Sequence, residues 1–348
     1  MRLLFVNGSL SGGGSERVMT VLANKMAQQG YDVSMILFFD SPNVYKVDTN
    51  IKIISLQNNE ESYLKRITRI TKLRKLIKNS YADVVISFMT TLNIYTILAS
   101  FGLNKKIIVS ERADPKRRKM HNRLAERLLY MLTNNVVFQT EYAKKCYFKS
   151  IQKKGVVISN PIDISLLTQY DGERDHRIVS IGRLTEQKNF TLLINAFSKF
   201  NETEKDYELC IFGEGPLRNK LERQINDLGI SDKVTLKGHV NNLPELICNA
   251  AMYVNSSDYE GISNAMLESM AMGLPTICTD CPVGGARMVI ENGINGLLVP
   301  VNNSEALTSA MLEIVNNDTF ANILSQKAKD IRSKYSIDKI VEQWNSLL

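Results

Sequence analysis

The chain has 348 residues, 44% of them hydrophobic and 23% charged, an ordinary globular composition about two domains long at ~100–200 residues each. No apolar run reaches the ~18 residues of a membrane span, and among five cysteines only Cys278 and Cys281 form a C-x-x-C, with no second Cys or His pair at zinc spacing. The net charge of +7 conceals an asymmetry, because residues 1–170 hold 26 Lys+Arg against 12 Asp+Glu whereas residues 171–348 hold 17 against 24.

The N-terminal apolar run is too short for the h-region of a signal peptide and predicts a buried strand over 2–6. A helix follows over 15–30, stopped by Gly30, then a strand over 32–38. Residues 63–80 place Ile67, Ile70, Leu73, Leu76 and Ile77 at helical spacing on a strongly basic segment. Short Val/Ile runs at 83–88, 106–110 and 135–140 alternate with helical patterns, which predicts a parallel sheet covered on both faces. The pattern pauses after 156–164 in a polar stretch, residues 168–177, that reads as a linker. A second series then opens: strands over 178–184, 208–215, 234–240, 250–257 and 276–280, with helices over 189–200 and 216–228 and another after residue 263. The expectation is α/β: a first Rossmann-like domain over 1–168, a second over 169–334, and an amphipathic helix over 335–348 returning toward the first. Two doubly wound domains in tandem would bind a ligand at the carboxyl ends of their strands, in a cleft between them.

The motifs fall at those strand ends. In SDYEGISNAMLESMAMGLP, Asp258 to Gly261 turn out of a strand, and Ser263 or Asn264 would cap a helix that Gly273 stops. A helix N-terminus there would attract an anion. Glu260 before the helix and Glu268 in its second turn could accept hydrogen bonds from the hydroxyls of two sugars. A diphosphate between them makes the ligand a nucleotide sugar. Taken alone, the two glutamates would read as a turn residue and a solvated helix residue, but the apolar neighbours of Glu268 predict a buried carboxylate that needs partners. In IGRLTEQKN, Arg183 and Lys188 follow a strand and could stabilise a diphosphate leaving group. The glycine-rich turn at Gly12, Gly13 and Gly14 permits close backbone approach, although Arg17 breaks G-x-G-x-x-G; in FGEGPLR, Arg218 does the same after Gly213 and Gly215.

Together GGGSERV, ISNPID, GRLTEQKN, FGEGPL, DYEGISNAMLESMAMGLPTI, TDCPVGGARMVI and NGINGLLVP resemble the retaining glycosyltransferases of family 4, with the GT-B fold. The similarity covers nearly the whole chain, and its flavour is that of bacterial enzymes assembling lipid-linked O-antigen, capsule or N-glycan oligosaccharides. It implies that Glu260 contacts donor-sugar hydroxyls and Glu268 the ribose. The backbone of Gly261, Ile262, Ser263 and Asn264 would face sugar and diphosphate, and Arg183 and Lys188 would hold the phosphates. Gly13 and Gly14 would approach the reacting centre. His239 and Val240 would lie near the base, with Glu214 and Leu217 as further candidates there. Relatives carry a His after the strand matching KIIVS; here Glu111 or Arg112 would take that place, and His121 lies too far along. The resemblance implies a UDP-sugar donor, no metal (there is no Asp-x-Asp), a polyprenyl diphosphate-linked acceptor, and a cytoplasmic enzyme peripheral to the membrane. The basic first half would meet that anionic surface, with helix 63–80 lying on the bilayer. The charge alone would also permit a nucleic-acid binder, but no helix-turn-helix, RNP or zinc motif is present. An epimerase or phosphorylase could share the scaffold.

Overall fold

The computed structural model describes residues 1–40, 44–56, 63–117 and 120–348, excepting the side chains of 63–66 and 120–122. It divides into two compact units, Met1–Pro161 with Ile337–Leu348, and Ile162–Ser336. Among the described residues no helix is long and apolar enough to cross a membrane.

The first unit is a seven-stranded sheet of β1 (Arg2–Asn7), β2 (Asp32–Leu37), β3 (Lys52–Ser55), β4 (Val84–Phe88), β5 (Lys106–Glu111), β6 (Asn135–Phe138) and β7 (Gly155–Val157). Its order is β3-β2-β1-β4-β5-β6-β7, and every pair is parallel. The strands run as almost unbroken apolar stretches because helices cover both faces. Phe5 and Phe88 from adjacent strands stack at 6.5 Å, and Trp344 of the helix Ile337–Asn345 stacks on Phe88 at 5.7 Å. That helix is fastened to the one at Gly14–Gln28 by the Lys25–Asp338 ion pair at 2.7 Å. The helix Tyr63–Asn79 covers the sheet: Leu73 and Ile77 are fully buried, and Arg74 donates to the carbonyls of Ala99 and Phe101 at 3.0 and 2.5 Å. Of its described apolar residues only Ile67 is exposed, so this helix spends its apolar face on the core. The side chains of Lys65, Arg66 and His121, and residues Arg118 and Lys119, lie outside the described set.

The second unit is a six-stranded parallel sheet of β8 (Arg177–Ile181), β9 (Glu208–Phe212), β10 (Val234–Gly238), β11 (Met252–Asn255), β12 (Thr276–Thr279) and β13 (Leu297–Val299), in the order β10-β9-β8-β11-β12-β13. Phe197, Phe200, Ile211, Val254, Ile277 and Met311 form its core. Strand order reverses between β8 and β11 here, and between β1 and β4 in the first unit.

The polar stretch expected as a linker belongs to the second unit. Arg174 donates to the carbonyls of Cys248, Ala250 and Gly273, and Lys329 pairs with Asp171 at 2.7 Å. The boundary accordingly falls at Pro161/Ile162 instead of after residue 168, because Ile162 N–H donates to the Tyr335 carbonyl at 2.8 Å and bridges Ser336. Strand β3 and the helix Thr90–Ser100 were not legible as separate elements in the sequence.

Replacing Trp344 by Ala removes the largest fully buried side chain. We expect a loss of about 3–5 kcal/mol, read by far-UV circular dichroism in denaturant; a change under about 1 kcal/mol would mean the C-terminal helix does not hold the first unit.

Candidate functional site

In an open parallel sheet the strand ends at a reversal of order form a ligand crevice. In the second unit that position belongs to the loops leaving β8 and β11. The β8 loop passes Gly182 and forms a short turn of 3-10 helix at Glu186–Lys188. A Cβ on Gly182 would come within 2.9 Å of Lys188 Cε, so this glycine makes room for the lysine stem. Asn189, at φ 44°, then caps the helix Phe190–Phe200 by accepting from Leu192 N–H.

The two loops are stitched together along their length. Asn189 Nδ2 donates to Asp258 Oδ1 at 2.7 Å, Asp258 N–H to the Gln187 carbonyl at 2.9 Å, Gln187 Nε2 to the Tyr259 carbonyl at 3.0 Å, and Ser256 Oγ to the Lys188 carbonyl at 2.9 Å. At the centre Lys188 Nζ meets Glu260 Oε2 at 2.5 Å, with side chains only 15% and 18% exposed. Ser257 Oγ adds a hydrogen bond to the same oxygen at 2.9 Å. Two residues 72 positions apart in sequence thus become one charged pair.

Beyond Glu260 the chain enters the helix Asn264–Ala271, capped by Ser263, whose side chain accepts from Met266 N–H at 3.4 Å. Gly273, at φ 83°, follows its C-terminus. Glu260 N–H donates to the Pro282 carbonyl at 2.7 Å and Val283 N–H donates back to Glu260 O at 3.1 Å. The backbones are closest at Gly285, where an added Cβ would lie 1.7 Å from the Gly261 carbonyl oxygen. Ile262 and Ser263 are buried, while Gly261 and Asn264 are half-buried. Glu268 is half-buried too, not buried as its apolar neighbours in sequence suggested: they occupy the inward face of the helix and it sits beside that face.

The residues expected near a nucleotide base also converge. Glu214 leaves β9 and lies across Gly238 at the end of β10, where a Cβ would stand 2.8 Å from Glu214 Oε1. His239 is exposed immediately after, with Val240 and Leu217 half-buried. Glu214 is gripped by Arg218 at 2.6 and 3.0 Å, which draws its carboxyl below the ordinary range. Arg183 stands apart from the Lys188–Glu260 pair, exposed and making no ion pair among the described residues.

In the first unit Glu111, expected as a sugar or acceptor contact, has its oxygens occupied within the protein. It is 2% exposed, accepts from Thr90 Oγ1 at 2.6 Å, from Tyr130 OH at 2.7 Å and from the N–H groups of Arg112 and Ala113, so it is a structural carboxylate. Arg112 is half-buried over the Phe88 ring and donates to Ser110 Oγ and Asn160 Oδ1. Burial lowers its pKa to about 9, against the pull of Glu111, so it stays cationic at neutral pH. In the glycine-rich turn, Glu16 accepts from Gly12 N–H and Gly13 N–H at 2.9 Å each and from Ser9 Oγ at 2.5 Å. The sequence reading missed Glu16, although its place three residues after Gly13 is the N3 position of a capping box. It also missed Gln187, Asn189 and Ser257, which flank residues it did select. Among the described residues no group of three or more His, Cys, Asp or Glu side chains could hold a metal.

Residues 12–166 match the family described as Glycosyltransferase Family 4, and residues 171–331 match Glycosyl transferases group 1. The chain is a glycosyltransferase of these families. The glycosyltransferase is 29% identical, over 100% of its length and 98% of the relative's, to the Campylobacter jejuni GalNAc-alpha-(1->4)-GalNAc-alpha-(1->3)-diNAcBac-PP-undecaprenol alpha-1,4-N-acetyl-D-galactosaminyltransferase. It is 27% identical, over 95% and 94% of the two chains, to that organism's N-acetylgalactosamine-N,N'-diacetylbacillosaminyl-diphospho-undecaprenol 4-alpha-N-acetylgalactosaminyltransferase. Its fold matches that of Anabaena HepE, solved with UDP and glucose, with a TM-score of 0.86 at 18% identity over 99% and 98% of the chains. The two parallel-sheet units of the glycosyltransferase are therefore the Rossmann-like domains of the GT-B fold.

Gly285→Ala tests the close packing under the site. A Cβ forced onto a carbonyl oxygen should cost about 2–4 kcal/mol, whereas Gly8→Ala, with 3.9 Å of clearance, should stay within about 1 kcal/mol. Equal denaturation midpoints for the two variants would contradict the geometry.

Proposed function

We propose that this glycosyltransferase moves a hexose or N-acetylhexosamine from a UDP-sugar to a glycan carried on a polyprenyl diphosphate, with retention of anomeric configuration, at the cytoplasmic face of a membrane. The observation that carries this reading is the Lys188–Glu260 pair at the β8/β11 switch point, beside a capped helix N-terminus. A cation and a carboxylate held side by side suit a ligand whose diphosphate and sugar hydroxyls are adjacent. The names of the Campylobacter relatives support a lipid diphosphate acceptor and an N-acetylhexosamine.

In the proposed complex Glu260 accepts hydrogen bonds from donor-sugar hydroxyls and Glu268 from the ribose. Lys188 and Arg183 stabilise the charge that grows on the departing diphosphate, fixed donors being worth most where charge develops. The N-terminal turn from Gly261 to Asn264 adds its dipole to the same oxygens. Glu214, Leu217, His239 and Val240 border the base. A departing phosphate oxygen can take the acceptor hydroxyl's proton on the face it leaves, so retention needs no separate base, and catalysis rests on positioning and leaving-group stabilisation. Arg183 and Lys188 supply the charge a divalent metal would otherwise bring. The first unit would bind the acceptor, with Arg112 the cation offered there and the turn at Gly13 and Gly14 facing the reacting sugar.

Thermal melting with UDP, GDP and ADP tests the donor. Saturation at ~100 Kd should stabilise the second unit by about 2.7 kcal/mol. We expect the shift with UDP, absent in Glu268→Ala. A shift with GDP or ADP alone would overturn the donor assignment. Transfer from UDP-GalNAc to a lipid-linked acceptor, followed by NMR of the new linkage, should give an α product; a β product would overturn retention, and donor turnover without acceptor would overturn transfer.

A further inference from the structure

The helix Met120–Tyr130 is built the wrong way round for a protein surface. Of its described polar side chains, Glu126 and Tyr130 face inward and Arg123 and Arg127 are half-buried. Glu126 is 2% exposed and accepts from Tyr147 OH; Tyr130 is fully buried and donates to Glu111; Arg127 donates to the Cys146 carbonyl and lies over the rings of Tyr147 and Phe148. Leu129 is half-buried, but the other two leucines face outward. Leu124 and Leu128 are 53% and 49% exposed, and the turn that continues the same stripe adds Met131 at 43% and Leu132 at 55%. Single exposed leucines are unremarkable. Four large apolar side chains at i, i+4, i+7 and i+8 make a continuous face that water does not favour.

The surroundings of this stripe are basic. Lys154 Nζ donates to the Met131 carbonyl at 2.8 Å and also to that of Thr133, which ties the short helix Lys149–Lys154, the neighbour in sequence of the helix Glu141–Lys145, to the end of the stripe. Between those helices runs a shallow groove of about 320 Å³ lined by Lys144, Lys145, Lys149, Lys153, Gln152 and Glu141. Residues 116–154 hold 11 Lys+Arg and two glutamates, and one of the two, Glu126, is buried. A second copy of this chain docking face to face would set one positive surface against another. An anionic bilayer complements both components.

We propose that the outer face of Met120–Tyr130, with Met131 and Leu132, is the membrane-docking surface of the protein: the leucines enter the acyl boundary and the lysine groove takes lipid phosphates. Its purpose rests on the lipid-linked acceptor proposed above, whereas its physical basis does not. Among its described residues the basic helix Tyr63–Asn79 shows no such face: Leu73 and Ile77 are spent on the core and Ile67 is its one exposed apolar side chain.

Co-sedimentation of the full chain with vesicles of phosphatidylcholine, alone or with one-quarter phosphatidylglycerol, tests this. Binding should require the anionic lipid and weaken at about 0.5 M salt. The variant Leu124→Gln/Leu128→Gln/Leu132→Gln should lose about ten-fold or more in vesicle affinity while keeping its circular dichroism and its melting response to UDP. Lys144→Glu/Lys149→Glu/Lys153→Glu should lose a similar amount, and Lys72→Glu/Lys75→Glu/Lys78→Glu should stay within about two-fold. Unchanged binding by the leucine variant, no preference for the anionic lipid, or a larger loss in the Lys72 set would overturn the proposal. So would a dimer that the leucine substitutions dissociate without any effect on vesicles. Failure of the UDP response in the wild type would sink the donor reading and leave the vesicle result standing.

Discussion

Backbone packed directly on backbone is the constraint on which the second unit's site depends. A Cβ on Gly213 would lie 2.0 Å from the Gly182 carbonyl oxygen, one on Gly215 2.5 Å from that of Leu184, and one on Gly285 1.7 Å from that of Gly261. No side chain fits at these three points, so the strand-end loops stack without spacers. These contacts seat the β9 loop on the β8 loop and the loop after β12 on the β11 loop, and four bonds between the β8 and β11 loops then fix Lys188 opposite Glu260. The charged pair depends on that fixation: its side chains are only 15% and 18% exposed, and between loops free to move a salt bridge this withdrawn from water would have to meet both desolvation and ordering entropy.

The same glycines explain why the second unit was so legible. FGEG was visible as a broken phosphate-binding pattern, VGG stood within a stretch that resembles the family, and DYEGISNAMLE displayed its strand exit, cap residue and helix in order. Local chemistry decided each of these, and Ser263 caps the helix as its residue type predicts. What could not be read was the partnership across the chain. Nothing local to Lys188 says that its ammonium group meets Glu260 instead of standing beside Arg183, because that depends on loop stacking. Arg174 failed for the opposite reason. In sequence it belongs to a polar, linker-like stretch, yet it donates to three carbonyls in the turns that follow helices, and only the fold reveals those acceptors.

In the first unit, residue type misleads more often. Glu111 follows a strand and carries a charge, which suggests a ligand contact, but Thr90, Tyr130 and two backbone N–H groups satisfy it internally. A buried carboxylate costs little when its oxygens are this well bonded. Of the two basic helices, only Tyr63–Asn79 was read from the sequence, as a helix that would lie on a bilayer. Periodicity assigns an apolar face to both Tyr63–Asn79 and Met120–Tyr130 but does not say which way that face turns. Tyr63–Asn79 turns Leu73 and Ile77 inward. Met120–Tyr130 cannot, because Glu126 and Tyr130 already occupy the inner positions in a hydrogen-bonded network with Tyr147 and Glu111. Burying that network sends Leu124 and Leu128 outward.

The manner in which the first unit uses its cations keeps its surplus charge available. Arg74 donates to the Ala99 and Phe101 carbonyls, Arg127 to that of Cys146, and Lys154 to those of Met131 and Thr133. Each cation satisfies orphan acceptors at a helix end or turn and adds a favourable interaction with the helix dipole. A carbonyl carries no net charge, so these contacts stabilise structure without neutralising the field. The second unit tends to the other solution, pairing Arg218 with Glu214 and Glu222, Arg177 with Asp175, and Arg287 with Asp280. Cations bonded to carboxylates cancel at a distance, whereas cations bonded to carbonyls do not. The first unit therefore gains structural hydrogen bonds and remains a strongly positive body, as attraction to a phosphate-bearing surface requires.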